Sequence, residues 1–351
     1  MVTISAGKLI SFALCAVLAQ SGESVYEPIS ADNIARLQSA ASIAFDDLPD
    51  AAGEIVNGRF IVNTDGTRFG VVNRANAVVA LSDSGELVGL CSVTGRDGLP
   101  ATFIEGVFGA RENVIVSLHT DGPASYYVSR CDAASGEQIT WSFPQPLAEV
   151  WADSNTIWAS DLTGGVVHID AEGRVSTLTV PSPDTDPSSA IRIGRIAPPL
   201  AVSVTNSGLV KRWDLENGAV TAAFQVETGL PIYGHLSSDG RYLVWRDPPS
   251  TALYVLDFAV GTNVVVTQLN GAYIPFVFVT PAGDAVVGVQ IDDQPVVSAW
   301  EVASGVRHNL GQFRACGRPP DMARLSADGT ALIIGCDTGI DVWRVETDGA
   351  S

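Results

Sequence analysis

Lysine is almost absent from this sequence, since only Lys8 and Lys211 occur among its 351 residues. Lysine and arginine together number 20 against 39 aspartates and glutamates, which gives a formal net charge of −19. Nucleic acids and anionic membranes bind proteins through basic patches, so neither is an expected partner. A strongly acidic surface favours solubility and the approach of cationic partners.

Long apolar runs are also missing beyond residue 24, so no membrane-spanning helix is expected. Residues 1–24 have the pattern of a signal peptide, with Lys8 before an apolar core at residues 9–18 and a cleavage site near Ala19. This predicts an exported protein, either extracellular, periplasmic or on the cell surface. Two alternatives remain: a lipoprotein box at Phe12-Ala13-Leu14-Cys15, and a cytoplasmic protein with no leader.

Motifs for catalysis and cofactor binding are missing as well. The four histidines are scattered singly and none has the spacing of a metal site. The sequence contains no nucleophile elbow, no phosphate loop and no sialidase-type Asp box. It therefore predicts no catalytic residue, no metal and no cofactor.

What the sequence does contain is a repeat, best seen at residues 211–218. An alternating strand ends there in Trp213-Asp214, and Asn217-Gly218 supplies residues that tolerate the positive φ of a tight hairpin turn. Equivalent strand ends recur about every 43 residues, the length of a four-stranded propeller blade. The seven positions are Asp83, Asp132, Asp170, Asp214, Asp257, Glu301 and Arg344.

A second marker lies upstream of four of these positions. It is a glycine-containing turn followed by an apolar strand, at residues 64–70, 238–244, 281–287 and 327–333. The two markers keep a fixed phase and together predict an all-β fold, a seven-bladed β-propeller with four-stranded antiparallel blades. The expected blades span residues 55–93, 101–143, 147–179, 190–225, 231–269, 274–311 and 322–345.

The last predicted blade is short by one strand, because residues 346–351 are polar and do not alternate. Residues 37–45, in contrast, form a strand without a blade, after a short helix that begins near Ser30. We therefore predict that this N-terminal strand completes the last blade beside residues 340–345 and closes the ring. The expected domains are a leader at 1–24, one propeller at 25–347 and a polar tail at 348–351.

The repeat resembles the WD-repeat family over residues 29–345. The matching blade signatures are Trp213-Asp214, Trp300-Glu301 and Trp343-Arg344, and the Asp-Gly turns match the family's preceding hairpin. The resemblance implies a propeller of the quinoprotein-like superfamily, of a bacterial type with a signal peptide, that binds a protein or peptide through its loops. Trp213, Asp214, Trp300 and Trp343 are then structural residues.

Two features depart from the family's pattern. Gly234-His235 lies immediately before an Asp-Gly turn, whereas the family's Gly-His pair lies well upstream of it. The family's buried His-centred network is therefore expected to be missing, which leaves apolar packing to hold the blades together. Blade 2, with Trp141-Ser142-Phe143, is more similar to a quinoprotein repeat.

Acidic residues recur just after the second strand of several blades, where they share one face of a propeller. They are Asp161, Asp247, Asp292 and Asp337, with Asp121 and Asp293 in equivalent places. One interpretation is a ring of carboxylates that binds a cation or a basic peptide. The other is that each aspartate accepts hydrogen bonds from the backbone of its own turn.

Three arginines fall in predicted innermost strands, namely Arg192 and Arg195 in blade 4 and Arg324 in blade 7. In one interpretation they point into the central channel and hold an anion. In the other they lie between blades and pair with carboxylates.

Four cysteines remain if Cys15 is removed with the leader, and export would allow them to oxidise. Cys316 leads into blade 7 and Cys336 ends its second strand, so both lie near the same face and are predicted to form a disulfide. Cys91 and Cys131 end strands at opposite faces and are expected to stay free. The alternative is four reduced cysteines.

The function expected from these features is a non-catalytic, monomeric scaffold that binds a protein or peptide. The alternative is a propeller enzyme, either a hydrolase or a quinoprotein, with its site at the central channel. The sequence does not identify the ligand or the face that binds it.

Overall fold

The computed structural model describes residues 26–109, 111, 113–152, 156–161, 165–179, 190–193, 200–205, 208–226, 234–247, 252–268, 273–291, 295–313, 320 and 322–346. Within these ranges the chain forms antiparallel strands and three short 3₁₀ turns, and the strands are grouped in seven sheets. The fold is an all-β, seven-bladed propeller, which confirms the prediction. The predicted leader and polar tail lie outside the described residues.

The first two described strands, β1 (Tyr26–Glu27) and β2 (Gln38–Ala44), belong to the last blade. Blade 1 consists of β3 (Ile55–Val62), β4 (Arg68–Asn73), β5 (Val78–Ser82) and β6 (Leu87–Cys91). Blade 2 consists of β7 (Thr102–Phe108), β8 (Val114–Gly122), β9 (Ser125–Asp132) and β10 (Gln138–Phe143). Blade 3 consists of β11 (Leu147–Ala152), β12 (Ile157–Asp161), β13 (Gly165–Ile169) and β14 (Val175–Thr179).

Blade 4 consists of β15 (Ala190–Ile193), β16 (Leu200–Val204), β17 (Leu209–Asp214) and β18 (Ala219–Gln225). Blade 5 consists of β19 (His235–Leu236), β20 (Tyr242–Asp247), β21 (Ala252–Asp257) and β22 (Thr262–Gln268). Blade 6 consists of β23 (Tyr273–Val279), β24 (Ala285–Ile291), β25 (Pro295–Glu301) and β26 (Arg307–Gln312). Blade 7 takes β27 (Met322–Leu325), β28 (Ala331–Gly335) and β29 (Gly339–Glu346) from the end of the chain. The first strands of neighbouring blades contact one another around the ring, from β3 back to β27, and therefore surround the channel.

Aspartate side chains form local hydrogen bonds in the turns whose spacing predicted the blades. Asp214 accepts hydrogen bonds from the backbone amides of Glu216 and Asn217, and Gly218 has a φ of 61° at the end of that turn. Asp239 likewise accepts from the backbone amide of Arg241 before the second strand of blade 5. Side chains that bond the backbone locally end a strand and fix a turn, so their period in the sequence marks the blades.

Ring closure by the N-terminal strand is confirmed. Strand β2 pairs antiparallel with β29, from Gln38 opposite Arg344 to Ala44 opposite Gly339, and so becomes the outer strand of blade 7. Strand β1 adds two further pairs beyond it, at Val345 and Glu346. Blade 7 is therefore four strands across like the other six, although it contains five strand segments, because β1 and β2 both lie along the same edge of β29.

Arg344 joins the two ends of the chain to blade 1. Its guanidinium donates hydrogen bonds to the carbonyl oxygens of Gly66 (2.6 Å) and Asp65 (3.2 Å), and it lies over the ring of Tyr26 at 4.4 Å. The residue is only 4% exposed, and this burial lowers the pKa of the guanidinium from its usual value. Arginine thus replaces the usual turn acid where one side chain must reach a neighbouring blade.

Apolar clusters fill the spaces between blades. The ring of Trp343 lies beside Gly311 of blade 6 and shares a buried cluster with Phe278 of that blade. Ile34 and Leu37 from the N-terminal segment join the same cluster. Trp300 similarly packs against blade 5, and Trp213 against blade 3. The signature tryptophan therefore faces the preceding blade and buries its ring there.

A disulfide joins Cys91 at the end of β6 to Cys131 in β9, with their Cα atoms 6.0 Å apart. The expectation that these two cysteines stay free was wrong, because it treated the blades as flat and ignored their twist. The backbones of blades 1 and 2 approach so closely that any side chain at Gly89 would collide with the carbonyl of Ala133. That approach brings the two sulfurs together.

Cys336 is also disulfide-bonded. Its predicted partner, Cys316, lies outside the described residues, so that pairing stays a prediction. In the described part of the chain, no helix has the length and apolar character needed to cross a bilayer.

Candidate functional site at the central channel

A cavity with a volume of about 340 Å³ lies where the first strands of the blades surround the channel. It is lined by the first strands of blades 2, 3, 5, 6 and 7. Its polar lining includes Glu105, Glu149, His235 and Arg324, and Phe276 contributes an aromatic surface. The propeller thus gathers charged side chains from blades that are far apart in the sequence.

Arg324 reaches the channel, as one of its two interpretations required, but its charge is already paired. Its Nη2 lies 2.9 Å from Oε1 of Glu105, and both side chains are largely shielded from solvent. Glu105 belongs to blade 2 and Arg324 to blade 7, so the ion pair passes in front of blade 1. An anion would have to displace Glu105 before it could bind this guanidinium.

The other two predicted arginines contribute less to the described site. Arg192 lies on β15 opposite Val202 of β16, and its side chain is outside the described part of the structure. Arg195 is outside the described residues altogether. Arg59 of blade 1, which the sequence analysis did not single out, donates a hydrogen bond at 2.8 Å to the carbonyl of Phe103 on the next first strand.

The predicted carboxylate ring is only partly visible. Asp161 accepts a hydrogen bond from the backbone amide of Gly165 at 2.8 Å, which is the bonding expected of a turn residue. Asp337 is exposed in the turn after β28. Asp247 ends β20 with its side chain undescribed, and Asp292 lies outside the described residues.

Asp121 has the same kind of local role. It accepts hydrogen bonds from the hydroxyl of Tyr127 at 2.6 Å and from the backbone amide of Arg96 at 2.8 Å. These bonds, that from Tyr127 first, lower the pKa of the Asp121 carboxyl and keep it ionised. The carboxylate thereby fixes the loop between blades 1 and 2 against β9.

The four histidines lie in different strands of the described structure and do not form a common site. His119 is buried in blade 2, where its ring nitrogens approach Ser117 Oγ (2.9 Å) and the carbonyl of Ala101 (3.4 Å). Burial lowers its pKa to about 4, so the ring is neutral at pH 7. No group of three or more potential metal ligands occurs among the residues that the structure describes.

Glu105 and Glu149 were missed from the sequence because a single carboxylate within an apolar strand has no distinguishing pattern. The available signal was their position, since each falls in the first strand of its predicted blade. A first strand lines the channel in any propeller, so charges there deserve notice before the structure is known.

No family model matches the sequence, and no curated protein matches it either. Solved structures do match the fold. A chain from the crystal structure of a mitotic checkpoint complex has a TM-score of 0.61 and 14% identity, covering 97% of this chain and 100% of that one. The β-propeller domain of Cps50 (Swd1) from Myceliophteria thermophila has a TM-score of 0.63 and 12% identity, covering 88% of this chain and 99% of that domain. At these identities the likeness concerns the fold.

Proposed function

We propose that this protein is an exported, non-catalytic scaffold that binds a protein or peptide. The observation that supports this most is the ion pair between Arg324 and Glu105, since it neutralises two charged groups of the channel against each other. A catalytic acid or base must lie within hydrogen-bond reach of the substrate group whose proton it transfers. An arginine and a glutamate that bind each other across two blades are better suited to structural support than to chemistry.

The structural likeness supports the same proposal. One of the similar chains comes from a structure named as a mitotic checkpoint complex, and it matches nearly the whole length of this protein. A fold can host many functions, so the analogy adds support without naming a partner.

Export is supported by the bond between Cys91 and Cys131. Disulfides persist in secreted and periplasmic proteins and are rare in the reducing cytosol. Together with the pattern of residues 1–24, this favours a protein that folds in an oxidising compartment.

The test uses the full chain expressed with its own N-terminus. Mass spectrometry of the exported fraction should find a mature N-terminus near residue 20, and chemical cross-linking followed by purification should identify a bound protein. That protein, purified separately, should form a stoichiometric complex measurable by calorimetry and light scattering.

The enzyme alternative is tested on the same material with panels of sugar esters, quinones and metals. Turnover that disappears in Glu105→Gln, while the thermal melting temperature is unchanged, would overturn the proposal. A protein found only in the cytoplasm with its leader intact would overturn the export part and leave the scaffold part standing.

A further inference from the structure

The outer strands of the blades are almost free of charge, although the protein as a whole carries many charged residues. The strands concerned are β2, β6, β10, β14, β18, β22 and β26, and Arg307 of β26 is the one Asp, Glu, Lys or Arg among them. Exposed outer edges are normally protected from new strand pairing by charges, prolines or bulges. Most blades of this propeller therefore need another form of protection.

Bulges supply that protection in five of the seven blades. The pairing between the third and outer strands shifts register in blades 1, 4, 5, 6 and 7. A bulge leaves a residue unpaired and twists the edge, which makes it a poor template for another strand. The pairing is regular only in blades 2 and 3.

The outer edge of blade 2 is the better defined of these two. Strand β10 is six residues long, contains no charge, proline or glycine, and is flanked by described residues at both ends. In blade 3, β14 is shorter and is followed directly by residues 180–189, which the structure does not describe. Among the described strands, the better defined regular outer edge without charge, proline or bulge is thus β10.

The hydrogen-bonding groups on this edge can be assigned from the turn before it. The backbone amide of Asp132 donates to the carbonyl of Glu137, so Glu137 faces β9. Residues that face the partner strand alternate along an antiparallel pair. The amides and carbonyls of Gln138, Thr140 and Ser142 therefore point outward, away from β9.

The side chains of β10 alternate in the same register. Ile139 is 53% exposed, and Trp141 beside it donates from its indole nitrogen to the carbonyl of Gly173 on blade 3. On the opposite face Gln138, Thr140 and Ser142 are exposed and uncharged. A strand added at this edge would place apolar side chains beside Ile139 and polar ones beside Thr140.

The strand next to this edge, β9, is covalently linked to blade 1. It carries Cys131, which is bonded to Cys91 of that blade. A binding edge that is already ordered loses little conformational entropy when a strand is added.

We propose that the outer edge of β10 binds an extended, uncharged, alternating segment of a second protein by β-strand addition, which rests on the scaffold function proposed above. Such binding takes affinity from main-chain hydrogen bonds and specificity from alternate side chains. The partner is neutral or basic, because a net charge of −19 repels acidic chains, and exposed Glu137 precedes the edge. The same repulsion opposes pairing of this edge with a second copy.

The experiment titrates the full, oxidised protein with a fluorescent seven-residue peptide that alternates threonine and valine between terminal lysines. The control peptide has the same sequence with N-methyl groups on the amides of one edge. We expect saturable binding of the first peptide and at least 10-fold weaker binding of the second. Equal binding of both peptides, or of neither, would overturn the proposal, and this comparison requires no protein variant.

Two variants then locate the site. Thr140→Pro removes an outward amide without removing a hydrogen bond to β9, and should weaken binding at least 10-fold. Thr140→Val retains that amide and should bind within about 2-fold of the unchanged protein; Ser142→Pro replaces Thr140→Pro if the latter does not fold. Binding that survives either proline variant would overturn the assignment to β10.

The experiment also separates this inference from the proposed function. If light scattering shows a dimer without peptide that Thr140→Pro dissociates, the occupant is a second copy and the proposal is wrong. If a natural protein partner binds Thr140→Pro as tightly as the unchanged protein, the edge proposal is wrong while the scaffold function stands.

Discussion

Blades 1 and 2 are held together differently from blades 6 and 7, although the same position in the blade is used. Cys131, Trp213, Trp300 and Trp343 each precede the residue that marks the end of the third strand, and each faces the preceding blade. Cys131 forms a covalent bond to Cys91 there, whereas Trp343 buries an indole ring against Phe313 and its neighbours. One position thus accepts a short covalent link or a large apolar side chain.

The difference follows from how closely the two backbones approach. Gly89 allows blades 1 and 2 to come so near that no room is left for a side chain at that position, whereas blades 6 and 7 enclose a cluster with the large rings of Phe278, Phe313 and Trp343. A bulky ring stabilises a wide interface by removing apolar surface from water. A disulfide suits a narrow one and stabilises mainly by restricting the unfolded chain.

Deletion of residues 25–50 would disrupt the interface of blades 6 and 7 most severely. It removes β2 together with Ile34 and Leu37, which leaves β29 as an open edge and exposes the cluster around Trp343. We expect aggregation or loss of cooperative unfolding, measured by calorimetry and light scattering. A truncated protein that melts cooperatively at the original temperature would contradict circular closure.

Trp343→Ala tests the apolar interface alone. Trp343 is 2% exposed, and removal of a buried tryptophan ring typically costs about 3–5 kcal/mol of unfolding free energy. Urea denaturation gives this value, with Trp141→Ala as the matched control because Trp141 is only partly buried. A loss below about 0.5 kcal/mol, as for a surface change, would show that Trp343 is misplaced.

The combined change Cys91→Ala and Cys131→Ala tests the covalent interface. A disulfide that closes a loop of this length stabilises by about 2–4 kcal/mol, so we expect a loss in that range. The intact protein should lose similar stability when mass spectrometry shows that this bond alone is reduced. An unchanged denaturation midpoint would mean that packing around Gly89 is sufficient without the bond.

Acid should reveal the buried histidine of blade 2. The pKa of His119 is about 4 in the folded protein and about 6.5 when unfolded, so the unfolded state takes up a proton as pH falls between these values. Stability therefore falls from pH 6.5 toward pH 4, and this group contributes a loss of about 1 kcal/mol between pH 6.5 and pH 5.5. His119→Gln should remove that part of the pH dependence, and an identical pH profile in the variant would contradict it.

The sequence was sufficient for the blades and for closure because both depend on local signals repeated many times. Turn residues such as Asp214 and Gly218 fix strand ends, and a missing strand at one terminus matched a spare strand at the other. Prediction of the Cys91–Cys131 bond would have required the angle between two neighbouring blades, and no local sequence pattern indicates that angle. Its position was nevertheless readable, since Cys131 occupies the place of the signature tryptophan.

The channel was harder to anticipate for a similar reason. Arg324 could be placed in a first strand, but its partner Glu105 lies two blades away around the ring and far away in the sequence. Pairing of this kind depends on the diameter of the ring and on side-chain reach. Most outer strands have a bulge and the outer strand of blade 2 has none. Bulges depend on the twist of the sheet, so the alternation of residues in the sequence did not predict them either.

The pairing of β2 with β29 also determines when the ring of blades can close during folding. Synthesis begins at the N-terminus, so β2 is made before blades 1 to 6 and its partner β29 appears only when nearly all of these residues have been synthesised. Contacts between distant parts of a chain form slowly, because a long loop must close before any pairing compensates. The final pairing is therefore expected to be the slow step of folding, and until then the chain carries an open strand at each end.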